Sequence, residues 1–215
     1  GYEPGPFTLG SGNSWTKEGS TPTMSVIKDT VTGMTYASIA NNTTGTMYVG
    51  QRFTPQTGGM IMEFDANFPG SKVGSFNMMD GKVNATSAAG LRLSIGDGVI
   101  KRTNSTSTMN QASYDVTHWY RFRIVMDIPG QQYTLTITDL NTGAVTSWQE
   151  GFYSNRTKIS SFGFSFSSSG GEVNLTHVRA TSLDLSLSNL ELAIGGYFPQ
   201  LDPPFDPLVK SYTVE

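Results

Sequence analysis

The chain contains no cysteine. That excludes disulfide staples, thiolate chemistry and cysteine-ligated zinc. Charge is scarce too: Asp, Glu, Lys and Arg make up 14% of the 215 residues, against about 25% in an average soluble domain. The formal net charge is -3. Such a chain carries no basic footprint for nucleic acid or an anionic membrane surface, and neither partner is expected. No apolar run approaches the ~18 residues of a membrane span. Histidine occurs only at His118 and His177, too far apart in sequence to share metal-ligand spacing. A helical apolar repeat is missing as well.

What remains is rich in glycine (24 residues), Ser, Thr and Asn, with 37% hydrophobic and 11% aromatic residues. This mixture suits many short strands joined by tight turns, and the aromatic content argues against disorder. A chain of this length buries roughly 70% of its extended surface without staples. Almost every segment alternates with period two. "GGMIMEFDANFPG" (58–70) sets Met60, Met62, Phe64, Ala66 and Phe68 on one face and Ile61, Glu63, Asp65 and Asn67 on the other. "TMYVGQRF" opposes Met47, Val49 and Phe53 to Tyr48, Gly50 and Arg52. "KVGSFNMM", "GLRLSIGDGVIKR", "HWYRFRIVMD", "YTLTITD", "AVTSWQE", "ISSFGFSFS" and "EVNLTHVRA" continue the pattern. Asp80-Gly81-Lys82, Gly96-Asp97-Gly98, "PGQQ" and "NTG" read as turns. About twelve strands with no central linker predict one large antiparallel jelly-roll β-sandwich, an all-β fold.

The character changes at about residue 184. "LSLSNLELAIGGYFPQLDPPFDPLVKSYTVE" carries Pro199, Pro203, Pro204 and Pro207 and loses the alternation. The expected division is therefore a domain at 1–183 and a separate segment at 184–215. The start at Gly1 rather than methionine points to a mature or excised piece. Sequons at Asn41, Asn42, Asn84, Asn104, Asn155 and Asn174 are more than a sandwich readily carries as glycans, which favours a bacterial secreted origin.

The order of "RFTPQTGGMIMEFDANF", "GLRLSIGDGVIKR", "YDVTHWYRFRIVMDIPGQQYTLTITDLNTG" and "FGFSFSSSGGEVNLTHVRA" resembles the concanavalin A-like lectin/glucanase superfamily. That resemblance implies a sandwich with one concave sheet on which glycans lie. Similar modules occur in secreted bacterial polysaccharide-degrading enzymes. The tail, "LSNLELAIGGYFPQLDPPFDPLVKSYTVE", resembles the start of a cadherin-like β-sandwich repeat. Together they imply a segment of a larger multimodular protein, secreted or at the cell surface, with covalently linked neighbouring domains.

Glucanases of this superfamily carry Glu-x-Asp-x-x-Glu on one strand, with the last Glu as general acid. Glu63 and Asp65 match the first two positions, but Phe68 occupies the third. Retaining hydrolysis needs two carboxyl groups about 5 Å apart, so the motif lacks its acid. A lyase needs a Tyr or His base and a cation to neutralise a uronate, and His118, His177 and Tyr48 form no compact motif for one. Sugar binding asks only for aromatic rings and hydrogen-bonding side chains. Candidates are Tyr48, Arg52, Glu63, Asp65, Asn77 and Arg92 near the Glu63 strand, and Trp148, Tyr153 and Arg156 in "SWQEGFYSNR". Arg121 and Arg123 beside Trp119 suit an acidic polysaccharide or simply a solvated face. No cofactor is expected. A structural calcium ion needs only oxygen ligands, and Asp80, Asp97, Asp127 and Asp139 all fall in turns, with none singled out.

The reading is a non-catalytic carbohydrate-binding module that targets a polysaccharide-degrading enzyme to its substrate through a concave sheet face. A lyase or glycoside hydrolase with an unrecognised site is the alternative. A ligand-free spacer is the third.

Overall fold

A computed structural model describes residues 5–6, 15–19, 23–70, 72–103, 111–167 and 169–183, and those up to Ser182 belong to one compact unit. The segment 184–215, expected to begin a cadherin-like repeat, lies outside the described residues. Strands appear where the alternation puts them. They run β1 (Gly5–Pro6), β2 (Trp15–Gly19), β3 (Thr23–Lys28), β4 (Thr35–Asn41) and β5 (Met47–Gln56). Next come β6 (Gly59–Asn67), β7 (Lys72–Met79), β8 (Ala89–Gly96), β9 (Val99–Arg102) and β10 (Gln111–Ser113). The series ends with β11 (Tyr120–Asp127), β12 (Gln132–Asp139), β13 (Val145–Gly151), β14 (Ile159–Phe166) and β15 (Gly171–Leu183).

They form two antiparallel sheets packed face to face. One has eight strands in the order β1-β3-β4-β15-β6-β11-β12-β13, the other seven in the order β10-β9-β8-β7-β14-β5-β2. This is the expected all-β jelly-roll sandwich. The inward sets of the alternating strands meet between the sheets, because burying one face of each is the main gain of stacking them. Phe64 of β6 stacks on Phe122 of β11 with centroids 4.7 Å apart and meets Phe76 of β7 at 4.8 Å. Removing such a ring costs about 3–5 kcal/mol. Arg102 of β9 and Glu150 of β13 form an ion pair at 3.2 Å that joins the two sheets.

One turn departs from expectation. Asp80-Gly81-Lys82 does not close a tight hairpin. The chain instead continues to a 3-10 turn at Thr86–Ala88 before entering β8. Met79, Val83 and Ala89 there make a small apolar cluster, separate from the main core, against which Tyr153 packs. This connection builds one end of the outer face of the seven-stranded sheet.

Candidate functional site

The outer face of the seven-stranded sheet follows from register. In one transverse row Glu18 of β2 lies opposite Tyr48 of β5, then come Ser165 of β14, Ser75 of β7, Ser94 of β8 and Lys101 of β9. The next row is Thr16, Gly50, Gly163, Asn77 and Arg92. A third carries Arg52, Ser161 and Met79. The middle of this face is thus floored by glycine, serine and Asn77, and larger side chains stand on either side. Tyr48 and Arg52 rise from β5. Arg92 rises from β8 and Lys101 from β9, three and four strand spacings or about 14 and 19 Å away.

The glycines are required by the pairing itself. A Cβ on Gly50 would run into the carbonyl of Phe162, and one on Gly163 would sit 2.8 Å from the Val49 carbonyl oxygen. Polar side chains tie the floor together. The Ser75 and Ser165 hydroxyls are 2.6 Å apart, and Asn77 Nδ2 donates to Ser75 Oγ at 3.1 Å. Asn77 is 1% exposed and its Oδ1 has no hydrogen-bond partner. The neighbouring Arg92 Nε is also buried without one. Unpaired buried groups of this kind are costly unless something else satisfies them. The Arg92 guanidinium lies 5.6 Å from the centre of the Tyr153 ring, a cation–π contact that fixes its direction. A cleft of about 470 Å³ opens over this region, lined by Ser75, Arg92, Ser94, Asp97, Lys101 and Gln111 among others. That volume falls within the range of small-ligand sites.

The candidates read from sequence divide. Tyr48, Arg52, Asn77 and Arg92 share this face, and Tyr153 flanks it. Arg156 stands nearby, but its guanidinium donates to Ser154 Oγ and the Ser87 carbonyl. It therefore ties the β7–β8 connection to the segment after β13. Trp148 is not a rim residue: it points inward opposite Leu135, is 7% exposed and belongs to the core.

Glu63 and Asp65 are the larger correction. They face outward from β6, which belongs to the eight-stranded sheet, so the other sheet and the whole core separate them from Tyr48 and Arg92. Asp65 accepts from Arg121 Nε at 2.8 Å, Arg121 Nη2 at 2.9 Å and His177 Nδ1 at 2.8 Å. An ionised carboxylate only accepts, so His177 carries its proton on Nδ1. Burial pushes the Asp65 carboxyl up, but the hydrogen bonds and charges of Arg121 and His177 outweigh it and hold the group below its ordinary value. Glu63 pairs with Arg123 at 3.3 Å. Phe68, at the position of the missing acid, is buried against Tyr114 and Phe122. Beside them Asn67 donates to the carbonyls of Val116 and His118, and Asn174 donates to Asn67. This polar row holds the loop before β11 on the sheet.

Among the described residues, no three His, Asp or Glu side chains converge as a cation site would require. Asp139 accepts from His118 Nδ1 and the backbone of Asn141 and Thr142, and Asp127 accepts from the Gly130 N–H and Gln132 Nε2. These carboxylates organise turns.

The sequence reading found Asn77 but missed the Ser and Gly positions of the floor and Lys101. The signal was present in "SSFGFSFS", where small residues alternate with three phenylalanines. A strand whose outer set is only Ser and Gly leaves room above the sheet.

No protein-family model matches the sequence, and no curated protein sequence does. Solved structures do match. One described as "Sialidase" superposes with a TM-score of 0.60 at 14% identity, over 80% of this chain and 17% of that one. The chain thus spans a small part of that protein's length. A Lotus tetragonolobus seed lectin matches with a TM-score of 0.53 and 12% identity, over 83% of this chain and 99% of the lectin. The exoplasmic/lumenal domain of VIP36, in a Ca2+/Man3GlcNAc-bound form, matches with a TM-score of 0.50 and 10% identity, over 81% and 88%. With two antiparallel sheets stacked in this order, and the seed lectin and the VIP36 domain superposing along 99% and 88% of their lengths, the chain has the concanavalin A-like jelly-roll fold.

Proposed function

We propose that the domain is a non-catalytic carbohydrate-binding module and that the glycan lies on the outer face of the seven-stranded sheet. The observation that carries this reading is the trough itself: a Ser/Gly/Asn floor between Tyr48 on one side and Arg92, Lys101 and Tyr153 on the other. Hydroxyl groups of a sugar find donors and acceptors on such a floor, and an aromatic ring offers a face to its C–H groups. Two of the structural neighbours are a seed lectin and a domain bound to Man3GlcNAc, which supports a glycan as the ligand class. The carboxylates of β6 support binding over hydrolysis. Each is engaged by an arginine, and a core phenylalanine takes the place of the acid. In a secreted multimodular protein, such a domain holds a linked catalytic domain near its polysaccharide and raises the effective concentration.

Affinity gel electrophoresis against a polysaccharide panel tests this, with reducing-end and unsaturated-uronate assays on the same samples. Retardation without product is expected, weakened in Tyr48→Ala and unchanged in Glu63→Ala. Loss in Glu63→Ala alone moves the site to the other sheet. Product formation makes the domain an enzyme, and no retardation on any glycan leaves a spacer.

A further inference from the structure

The arginines near the middle of the two outer faces differ in one respect. On the eight-stranded sheet those of β11 each have an anion, Arg121 on Asp65 and Arg123 on Glu63, while Arg179 of β15 donates to the Thr181 hydroxyl. On the seven-stranded sheet Arg52, Arg92 and Lys101 form no ion pair with any carboxylate of the described residues. A chain with net charge -3 has acids to spare, yet none of those described pairs with these three. Resting on the carbohydrate-binding reading, we infer that the trough takes an anionic glycan, one carrying carboxylate or sulfate groups, and that Arg92 and Lys101 receive the anion.

The geometry assigns them that part. Lys101 lies directly opposite Ser94, so it is the diagonal neighbour of Arg92 across the β8–β9 pair. Diagonal neighbours stand about 7–8 Å apart, close enough for two long side chains to converge on one anionic group. Arg92 is held against the Tyr153 ring, and its buried Nε lacks an acceptor. An oriented guanidinium that lines the cleft suits the two oxygens of a carboxylate or sulfate. The polar groups around it, Ser94, Thr103 and Gln111, are neutral and suit hydroxyls.

Acids on this face set the direction of the ligand. Asp97 lies in the β8–β9 turn at the end of the cleft, and Glu18 faces outward beside Tyr48 at the β2 edge. Both repel an anion from their ends and leave the Arg92–Lys101 side as the place where one is stabilised. The sugar ring then extends over the Ser75–Ser165 floor toward Tyr48.

Matched ligand pairs test the inference on the full chain by calorimetric titration. One pair is polygalacturonate and its methyl ester, the other a sulfated galactan and its desulfated form. The charged member of at least one pair should bind about tenfold tighter or better, and that advantage should shrink as salt rises. Which pair shows the effect separates carboxylate from sulfate recognition. Arg92→Gln and Lys101→Gln should each remove most of the advantage, whereas Arg123→Gln on the opposite sheet should leave it intact. Lys101→Gln carries the test if loss of the Tyr153 contact unfolds the Arg92 variant. Equal or tighter binding of the neutral members overturns the anionic ligand and leaves the carbohydrate reading standing. Absence of binding to every member, together with a neutral glycan panel, overturns both.

Discussion

Asp65 is a sugar-binding candidate in the sequence, and the fold makes it the anchor of an ion-pair cluster. The residue is 3% exposed, and its carboxylate receives three donors from two strands. Asp65→Asn keeps the shape and removes the charge. The expected loss is about 1–2 kcal/mol at pH 7, modest because Arg121 is half in solvent, and urea midpoints measure it. Its pH dependence has a definite sign. The folded-state carboxyl lies below the ordinary 3.8, so the contribution is full above that value and fades as the pH falls through the folded one. The two urea midpoints should therefore converge in acid. Asp139 behaves alike: burial raises it, but His118 and the N–H groups of Asn141 and Thr142 bring it down to about 2. Wild-type stability should decline between about pH 4 and pH 2, followed by circular dichroism. Neither partnership was legible, since Asp65 and His177 are 112 positions apart and only pairing across β15 and β6 brings them together. Trp148 misled for a different reason. Around it "VTSWQE" has no second apolar residue of the same parity, so no alternation fixed its face.

At the scale of elements, parity was the strongest signal. It set the inward and outward residues of β5, β6, β7, β8, β11 and β14 correctly, because the pleat leaves no choice once one face is buried. Parity alone does not say to which sheet a strand belongs. A sandwich has two outsides, and Glu63 on one and Tyr48 on the other carry the same alternating code. Sheet membership depends on crossovers such as β6 to β11 and β14 to β5, which skip over several strands. The close approach of β5 and β14 gives a testable consequence. With the Val49 carbonyl 2.8 Å from where a Cβ would stand, Gly163→Val forces the two paired strands apart. The cost is expected at about 3 kcal/mol or more, from overpacking and lost strand hydrogen bonds together. A urea midpoint equal to wild type would show that the strands part without penalty.

On the whole-molecule scale, low charge, abundant glycine and short alternating runs were enough to give an all-β sandwich, and the resemblance carried by the order of its strand motifs added the concanavalin A-like outline. Those features are spread over the entire chain, so many independent segments agree. The β15 strand, last of those described, does not sit at an edge. It lies inside the eight-stranded sheet between β4 and β6, with Glu172 paired to Ala40 and Leu175 to Ala37. Until those residues are made, β4 and β6 have no common neighbour and their inward phenylalanine and isoleucine faces stay partly open. A chain ended after residue 170 should therefore remain unfolded or aggregate, as judged by circular dichroism and gel filtration. A native-like spectrum from that chain would show that β4 and β6 close without their centre strand. β15 ends 142 residues after β4, so at about 5–20 residues per second of synthesis β4 waits on the order of 7–30 s for its neighbour. The sandwich thus closes only when its last described strand is made, and the wait with exposed strands is the interval in which chaperones have most to guard.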